Sequence, residues 1–288
     1  MSMKWMFSAF LKKTLGMIIA ISMIGFGFLY WQKHKSIVST DDAYVNANVI
    51  QIAPRITGQI FNLNIINNQY VKKDALLFSL DREPFEIATN EAKAKKEKDL
   101  AIWHMAELTA KRMSQLVQQK VASRQAGDTA EADLRSSLAE LQLAETSLKR
   151  ATLNLHYTEI HAPTSGWVTN VTLREGSIVE QNRPVFALIS DQEFWIDANF
   201  KETELRSIQP GQKAKIRIDM YPKHIFTGIV ESISGGTGSV FSLLPPQNAT
   251  GNWVKVTQRI PVRIRIVDVD PKYPLRIGTS ATVSLNIG

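Results

Sequence analysis

The sequence predicts a mainly β protein that carries one long α-helical hairpin and an N-terminal transmembrane helix. Three observations carry this: an uncharged apolar run near the start, a β-type repeat whose copies lie 108 residues apart, and a glycine-poor insertion between them with two heptad arms. The expected architecture is a small β-sandwich split by an antiparallel coiled coil, followed by a β-barrel.

The first element is the membrane span. The chain has 288 residues, with 34 Lys+Arg against 27 Asp+Glu, a formal charge of +7 and no cysteine. Residues 1–35 contain Lys4, Lys12, Lys13, Lys33 and Lys35 and no acid, so the other 253 residues carry only +2. Between those lysines run the 19 uncharged residues Thr14 to Gln32. At about 1.5 Å per residue they make a helix of about 28 Å, close to the thickness of a bilayer core. Tyr30 and Trp31 fall at one end, where amphipathic rings settle at headgroups. A cleaved signal peptide would need a shorter apolar region and a small-residue cleavage site, whereas here bulky FLYW is followed by Gln-Lys-His-Lys. A retained anchor follows. The lysine bias places its N-terminus in the cytoplasm and the bulk of the chain across the membrane.

The second element is the repeat. Residues 53–80 (APRITGQIFNLNIINNQYVKKDALLFSL) align with 162–188 (APTSGWVTNVTLREGSIVEQNRPVFAL) once one extra residue before Gly58 is allowed. Ile60 matches Val168, Leu63 Val171, Ile65 Leu173, Val71 Val179, Leu77 Val185, Phe78 Phe186 and Leu80 Leu188. Apolar and polar positions alternate, the signature of half-buried strands. Asn68/Gly176 and Asp74/Asn182 are residue types that tolerate left-handed turns. Each copy is too small to bury its own core, so the two are expected to pack together.

The insertion, residues 82–158, holds Gly127 as its only glycine and Pro84 as its only proline. Pro84 suits a first helical turn, with Asp81 beside it as a cap. Trp103, Ala110 and Val117 recur every seven residues with Ala106 and Met113 between them, and Leu134, Leu141, Leu148 and Leu155 do the same, joined by Leu138. Two such arms make an antiparallel hairpin about 50 Å long. The break is expected near Lys120–Ser123, with Ser123 capping the returning helix. Lys93–Asp99 (KAKKEKD) interrupts the seam and reads as a solvated face.

After Ser190 the pattern is again of strands: 194–200, 214–220, 225–233, 253–267 and 281–287, with Pro210-Gly211 as a turn and a short helix over Lys201–Ile208. Several short strands without a long helix indicate a small β-barrel or sandwich, to which residues 38–49 add a strand. The expected boundaries are 1–36 for the cytoplasmic start and anchor, 37–49 for linker and barrel strand, 50–81 and 159–190 for the sandwich halves, 82–158 for the hairpin and 191–288 for the barrel.

This combination resembles the HlyD-type periplasmic adaptors, or membrane fusion proteins. The carrying segments are TDDAYVNANVIQIAPRITGQI (40–60), NLHYTEIHAPTSGWV (154–168), DANFKETEL (197–205) with PGQ (210–212), and FSLLPPQNATGNWVKVTQRIPVRI (241–264). The last two look like the EmrA-type branch, whose members serve major-facilitator multidrug exporters. The β repeat is similar to a lipoyl domain cut at its hairpin tip. There the coiled coil occupies the place of the modified lysine, so carrier function is not implied. Adaptors that dock on TolC-like outer-membrane channels carry Arg-x3-Leu-x6-Ser at the hairpin tip, and Arg112, Leu116 and Ser123 stand at that spacing. The resemblance implies a non-enzymatic adaptor in the inner membrane. It would link a major-facilitator-type transporter to a TolC-like channel for the export of drugs or toxic compounds.

One narrow hairpin cannot enclose a conduit, so a homo-oligomer is expected, held to lipid through one helix. Service in a protein-secretion or aromatic-acid efflux system is the alternative within the same fold. A membrane-anchored metalloenzyme using His156, Glu159 and His161 is a remote one, because Ile160 occupies the place that a His-x-x-Glu-His zinc motif reserves for its second histidine. No catalytic residue, metal set or cofactor site is read from the sequence. The absence of cysteine excludes thiolate chemistry, and 12 basic against 11 acidic residues in 82–158 argue against nucleic acid. Gly235–Ser239 lacks the Gly-Lys-Ser/Thr of a phosphate loop and reads as a hairpin loop. Val240, Phe241, Leu243 and Leu244 follow it as an apolar contact surface for the transporter, for a second protomer or for their own barrel.

Overall fold

The computed structural model describes residues 37–238, 240, 255–270 and 272–287. The expected anchor, Thr14 to Gln32, lies outside the described residues, as do Phe241, Leu243 and Leu244. Among the described residues no helix is long and apolar enough to cross a membrane. Among the described residues, twelve strands and two long helices follow in the order β1 (Ile37–Ile52), β2 (Gly58–Leu63), β3 (Tyr70–Val71), β4 (Leu76–Leu80), α1 (Glu83–Gln118), α2 (Arg124–His156), β5 (Glu159–His161), β6 (Gly166–Thr169), β7 (Ile178–Val179), β8 (Phe186–Lys201), β9 (Lys213–Ile218), β10 (Phe226–Ile233), β11 (Arg259–Ile266) and β12 (Ser280–Asn286). They form two compact units, Val49–Gln192 and Met1–Asn48 with Glu193–Gly288.

In the first unit the two repeat copies exchange strands. β7 of the second copy pairs with β2 of the first through Gly58↔Val179 and Gln59↔Ile178. β3 of the first pairs with β6 of the second through Val71↔Gly166 and Tyr70↔Trp167. Under the 108-residue offset these are the same pairs, so the unit has a twofold internal symmetry. Loop bonds obey it too: Asn68 N donates to Val168 O and Gly176 N to Ile60 O, both at 2.9 Å. The symmetry forces left-handed turns at matching places, with φ of 65° at Asn68, 83° at Gly176, 63° at Asp74 and 60° at Asn182. Every matched apolar pair read from the repeat lies in or against one core, where Phe78 and Phe186 meet edge to face at 6.1 Å. On the outside Tyr70 donates its hydroxyl to Asp191 at 2.8 Å. That bond, with a little burial, holds the phenol above its usual pKa, so Tyr70 stays a neutral donor.

The hairpin leaves and re-enters this unit between two paired strands. β4 pairs with β5 through Phe78↔Ile160 and Ser79↔Glu159, and Leu80 N donates to Thr158 O at 2.8 Å. At the base Asp81 accepts from Glu83 N at 3.1 Å, and Arg82 bonds to Glu159. In α1 the expected seam residues Trp103, Ala106, Ala110, Met113 and Val117 are partly buried. In α2 Leu134, Leu141, Leu148 and Leu155 keep their seam positions, but Leu138 is 39% exposed and Ser137 is buried in its stead. A 3–4 spacing from Leu134 reaches Ser137 and Leu141, so the interior step falls on the smaller residue. Lys93–Asp99 differs from its reading as a solvated face. The seam runs through it with Asp99 buried and Lys96 half-buried, and Lys96 reaches Glu145 of α2 at 3.1 Å.

The second unit is a closed six-stranded antiparallel barrel in the order β1-β12-β9-β10-β11-β8, with β1 also pairing to β8. Period-2 alternation sends Ile216 and Ile218, Phe226 and Val230, Val262 and Ile264, and Val283 and Leu285 inward, all buried. Gly228 is required there, because a Cβ would lie 2.7 Å from both Ile216 Cδ1 and Ile264 Cγ2. Three readings need correction. β8 is one strand of 16 residues, so Ser190 does not end it. The short helix over Lys201–Ile208 shrinks to a 3-10 turn, Leu205–Ser207. Of the long segment 253–267, the described residues 255–258 are not strand, and the strand runs over Arg259–Ile266.

Candidate functional site

The tip of the hairpin is built by the end of α1 and the start of α2. α1 closes with Lys120 N donating to Val117 O at 3.0 Å and Val121 N to Leu116 O at 2.9 Å, the paired bonds of a Schellman turn. Such a turn needs one left-handed residue, and Lys120 supplies it at φ 58°. Ala122 N also donates to Leu116 O, at 3.2 Å, so the whole connection folds back on the backbone of Leu116. Ser123 then caps α2, its hydroxyl accepting from Ala126 N at 3.2 Å. A Lys in the left-handed region carries a cost of about 1 kcal/mol that glycine escapes. Lys120→Gly is therefore expected to stabilise the tip by about 0.5–1 kcal/mol, read as slower amide exchange at Val121 and Ala122.

Arg112, Leu116 and Ser123 all sit on this one structure. Arg112 is exposed one helical turn before Leu116 and makes no ion pair with any described residue. Leu116 is half-buried beside Val117, and Ser123 is exposed while its oxygen is held in the cap. The hydroxyl proton of Ser123 stays available to a partner. The structure adds Val121, 73% exposed at the apex, which heptad reasoning passes over because it lies between the arms. Chemically the tip offers the exposed cations Arg112, Lys120 and Arg124, two apolar side chains and one hydroxyl around one turn. That is a surface for recognition, with no general base or nucleophile pair in it.

The other residues singled out are placed elsewhere. Val240 is 68% exposed. His161 takes the carbonyl of Asp74 on Nδ1 at 2.9 Å and stands 3.6 Å from Glu159, itself held by Arg82, so these side chains fasten the hairpin root. His156 is exposed in the last turn of α2. Among the described residues no three metal-ligating side chains converge.

Two family models match the chain. Residues 48–191 fit the RND MFP barrel-sandwich hybrid domain, and residues 193–286 fit the AAEA-like beta-barrel domain. Multidrug export protein EmrA of Haemophilus influenzae is 32% identical over 96% of this chain and 84% of its own length. Fatty acid resistance protein FarA of Neisseria gonorrhoeae is 35% identical over 86% of this chain and 75% of its own. Among solved structures, the membrane fusion protein Spr0693 of Streptococcus pneumoniae superposes with a TM-score of 0.63 at 14% identity, covering 86% of this chain and 97% of that one, a likeness of fold. Taken with the split β repeat, the hairpin and the barrel, these matches place the chain in the membrane fusion protein family, as a non-enzymatic periplasmic adaptor of the EmrA type.

Proposed function

We propose that the chain is the adaptor of a tripartite efflux pump. It is anchored in the inner membrane by Thr14 to Gln32, coupled to a major-facilitator-type transporter, and docked on a TolC-like outer-membrane channel by Arg112, Leu116 and Ser123. Several copies act together, their hairpins presenting a ring of tips. The names of the relatives (multidrug, fatty acid, colistin) support toxic amphipathic compounds as the cargo. The transporter supplies the energy, and this chain supplies position and reach.

The carrying observation is the tip itself, where one Schellman turn and one cap hold the Arg, Leu and Ser of the docking spacing on a single rigid connection. Exposed Val240 belongs, with Phe241, Leu243 and Leu244, to the proposed contact with the transporter or a second protomer. The native chain has no cysteine, so single cysteines at Gln115 or Gln119 give clean crosslinking. Both are expected to crosslink to a TolC-like channel in cells, whereas a cysteine at Glu91, near the hairpin base, is not. Ser123→Asp separates the two roles of the serine. Aspartate caps a helix as well as serine, so folding is retained while a hydroxyl-dependent dock weakens. Undiminished export by this variant, together with no tip crosslink, would refute the docking assignment.

A further inference from the structure

The barrel's outward charge is one-sided. On β9 the inward residues Ala214, Ile216 and Ile218 are buried, and the outward ones are Lys213, Lys215 and Arg217, all exposed. On β11 Val262, Ile264 and Ile266 are buried, and Arg259, Arg263 and Arg265 are exposed. Between them β10 shows Thr227, Ile229 and Glu231. Arg259 is taken by Asp42 at 3.0 Å, and Arg263 lies over Trp195 at 4.2 Å with Asp197 at 3.9 Å. Lys213, Lys215, Arg217 and Arg265 make no ion pair with any described residue. The register lines up Lys213, Ile229 and Arg265 across three strands, a breadth of about 10 Å. On β1 the exposed Asp41 and Tyr44 and the half-buried Asp42, which takes Arg259, point outward with no cation among them. A coat of charge serving solubility alone has no reason to choose a side.

We infer that the outward face of β9, β10 and β11 is a docking surface for the anionic headgroups of the membrane that holds the chain. This rests on the anchored-adaptor reading. The expected span ends at Gln32 and Ile37 already lies in β1, so at most five residue steps, no more than about 18 Å, separate the barrel from the bilayer. Lys33 and Lys35 lie in that tether. At physiological salt a charge acts over about 8 Å, and the tether lets the face come within that range of lipid phosphates. Four cations with no ion-pair partner among the described residues surround the small side chain of Thr227 and match a surface of phosphates, which attracts clustered Lys and Arg. Held there, the barrel has a fixed side toward the lipid, and its β1 side is left for protein.

Full-length Thr227→Cys, the only thiol in the chain, is reconstituted in vesicles of phosphatidylcholine alone or with about 30 mol% phosphatidylglycerol, and labelled with a small uncharged maleimide. Labelling is expected to slow several-fold in the anionic vesicles and to recover in about 0.5 M salt. The slowing is expected to vanish in the triple variant Lys213→Glu, Lys215→Glu, Arg217→Glu, while Asp41→Cys labels equally in both vesicles. Equal rates for Thr227→Cys in both vesicles overturn the inference. So does slowing that appears only when a partner transporter is co-reconstituted, which assigns the face to protein. Alkaline extraction of a parallel sample tests the anchor separately. A chain that washes off refutes the anchor, and the labelling comparison on unwashed vesicles still decides the face.

Discussion

Gly166→Ala is expected to cost on the order of 4 kcal/mol, a large fraction of the stability of a typical domain. Gly166 stands at φ 155° in β6, and a Cβ built on it would lie 2.0 Å from the carbonyl oxygen of Ile189 and 2.8 Å from its carbon. Both obstacles are backbone, so no rotamer relieves the overlap. Relief requires β6 to leave β8, which opens the rungs Gly166↔Ser190 and Trp167↔Ile189. It also disturbs Val71↔Gly166, the pair that locks one repeat copy into the other. The symmetry provides an internal control. Gly58 is the repeat mate, yet its Cβ would meet only the side chain of Leu80, at 3.2 Å. Gly58→Ala is therefore expected to cost no more than about 1 kcal/mol. Thermal melts of the two variants should separate widely. Similar melting points would show that β6 and β8 do not approach as described.

Arg112→Asp is expected to abolish export-dependent resistance while leaving abundance and helical content unchanged. Arg112 is exposed on α1 and makes no ion pair among the described residues, so the fold should register the change within about 0.5 kcal/mol. Docking should register far more. Replacing a cation by an anion opposite an acceptor turns attraction into repulsion, and disruption of close charge pairs at interfaces costs about 2–5 kcal/mol, or roughly 30- to 5,000-fold in affinity. Arg112→Lys keeps the charge but loses the guanidinium fork, so intermediate resistance is expected. Resistance assays with immunoblots of the same cells decide this. Full resistance with Asp at this position would remove Arg112 from the dock.

Much of the fold was legible because the repeat writes its core twice. A pair such as Phe78 and Phe186 has two independent reasons to be apolar, and both side chains are buried together. Asn68 and Asp74 were legible for a similar reason, since their partners Gly176 and Asn182 tolerate the same turn. What escaped is what local pattern does not encode. Strand exchange between the copies is invisible in either copy alone. Ser190-Asp191-Gln192 looks like a break, but ladders on successive neighbours carry β8 through it. Ser137 outranks Leu138 because the phase of the seam, and not hydrophobicity alone, selects the interior residue. At the tip the cap and the break followed from residue type, whereas the exposure of Val121 needed the turn's geometry. The near-neutral sum over residues 36–288 also concealed a sided distribution, since counting charge discards the alternation that puts Lys213, Lys215 and Arg217 on one face.

The strand exchange also bears on how the molecule assembles in time. Its closing pairs join residues more than 90 apart, such as Val71 to Gly166, and a flexible loop of the intervening length would make that closure entropically slow. The intervening chain is not flexible once α1 and α2 have zipped, because an antiparallel hairpin delivers Leu80 and Thr158 to within a hydrogen bond of each other. Helix formation is fast and local, so it shortens the effective loop from nearly eighty residues to a few before the β layers need to find each other. The hairpin is thus its own folding chaperone as well as an arm. Residues far out on its seam, such as Leu134, are therefore expected to influence how quickly the sandwich at its root closes.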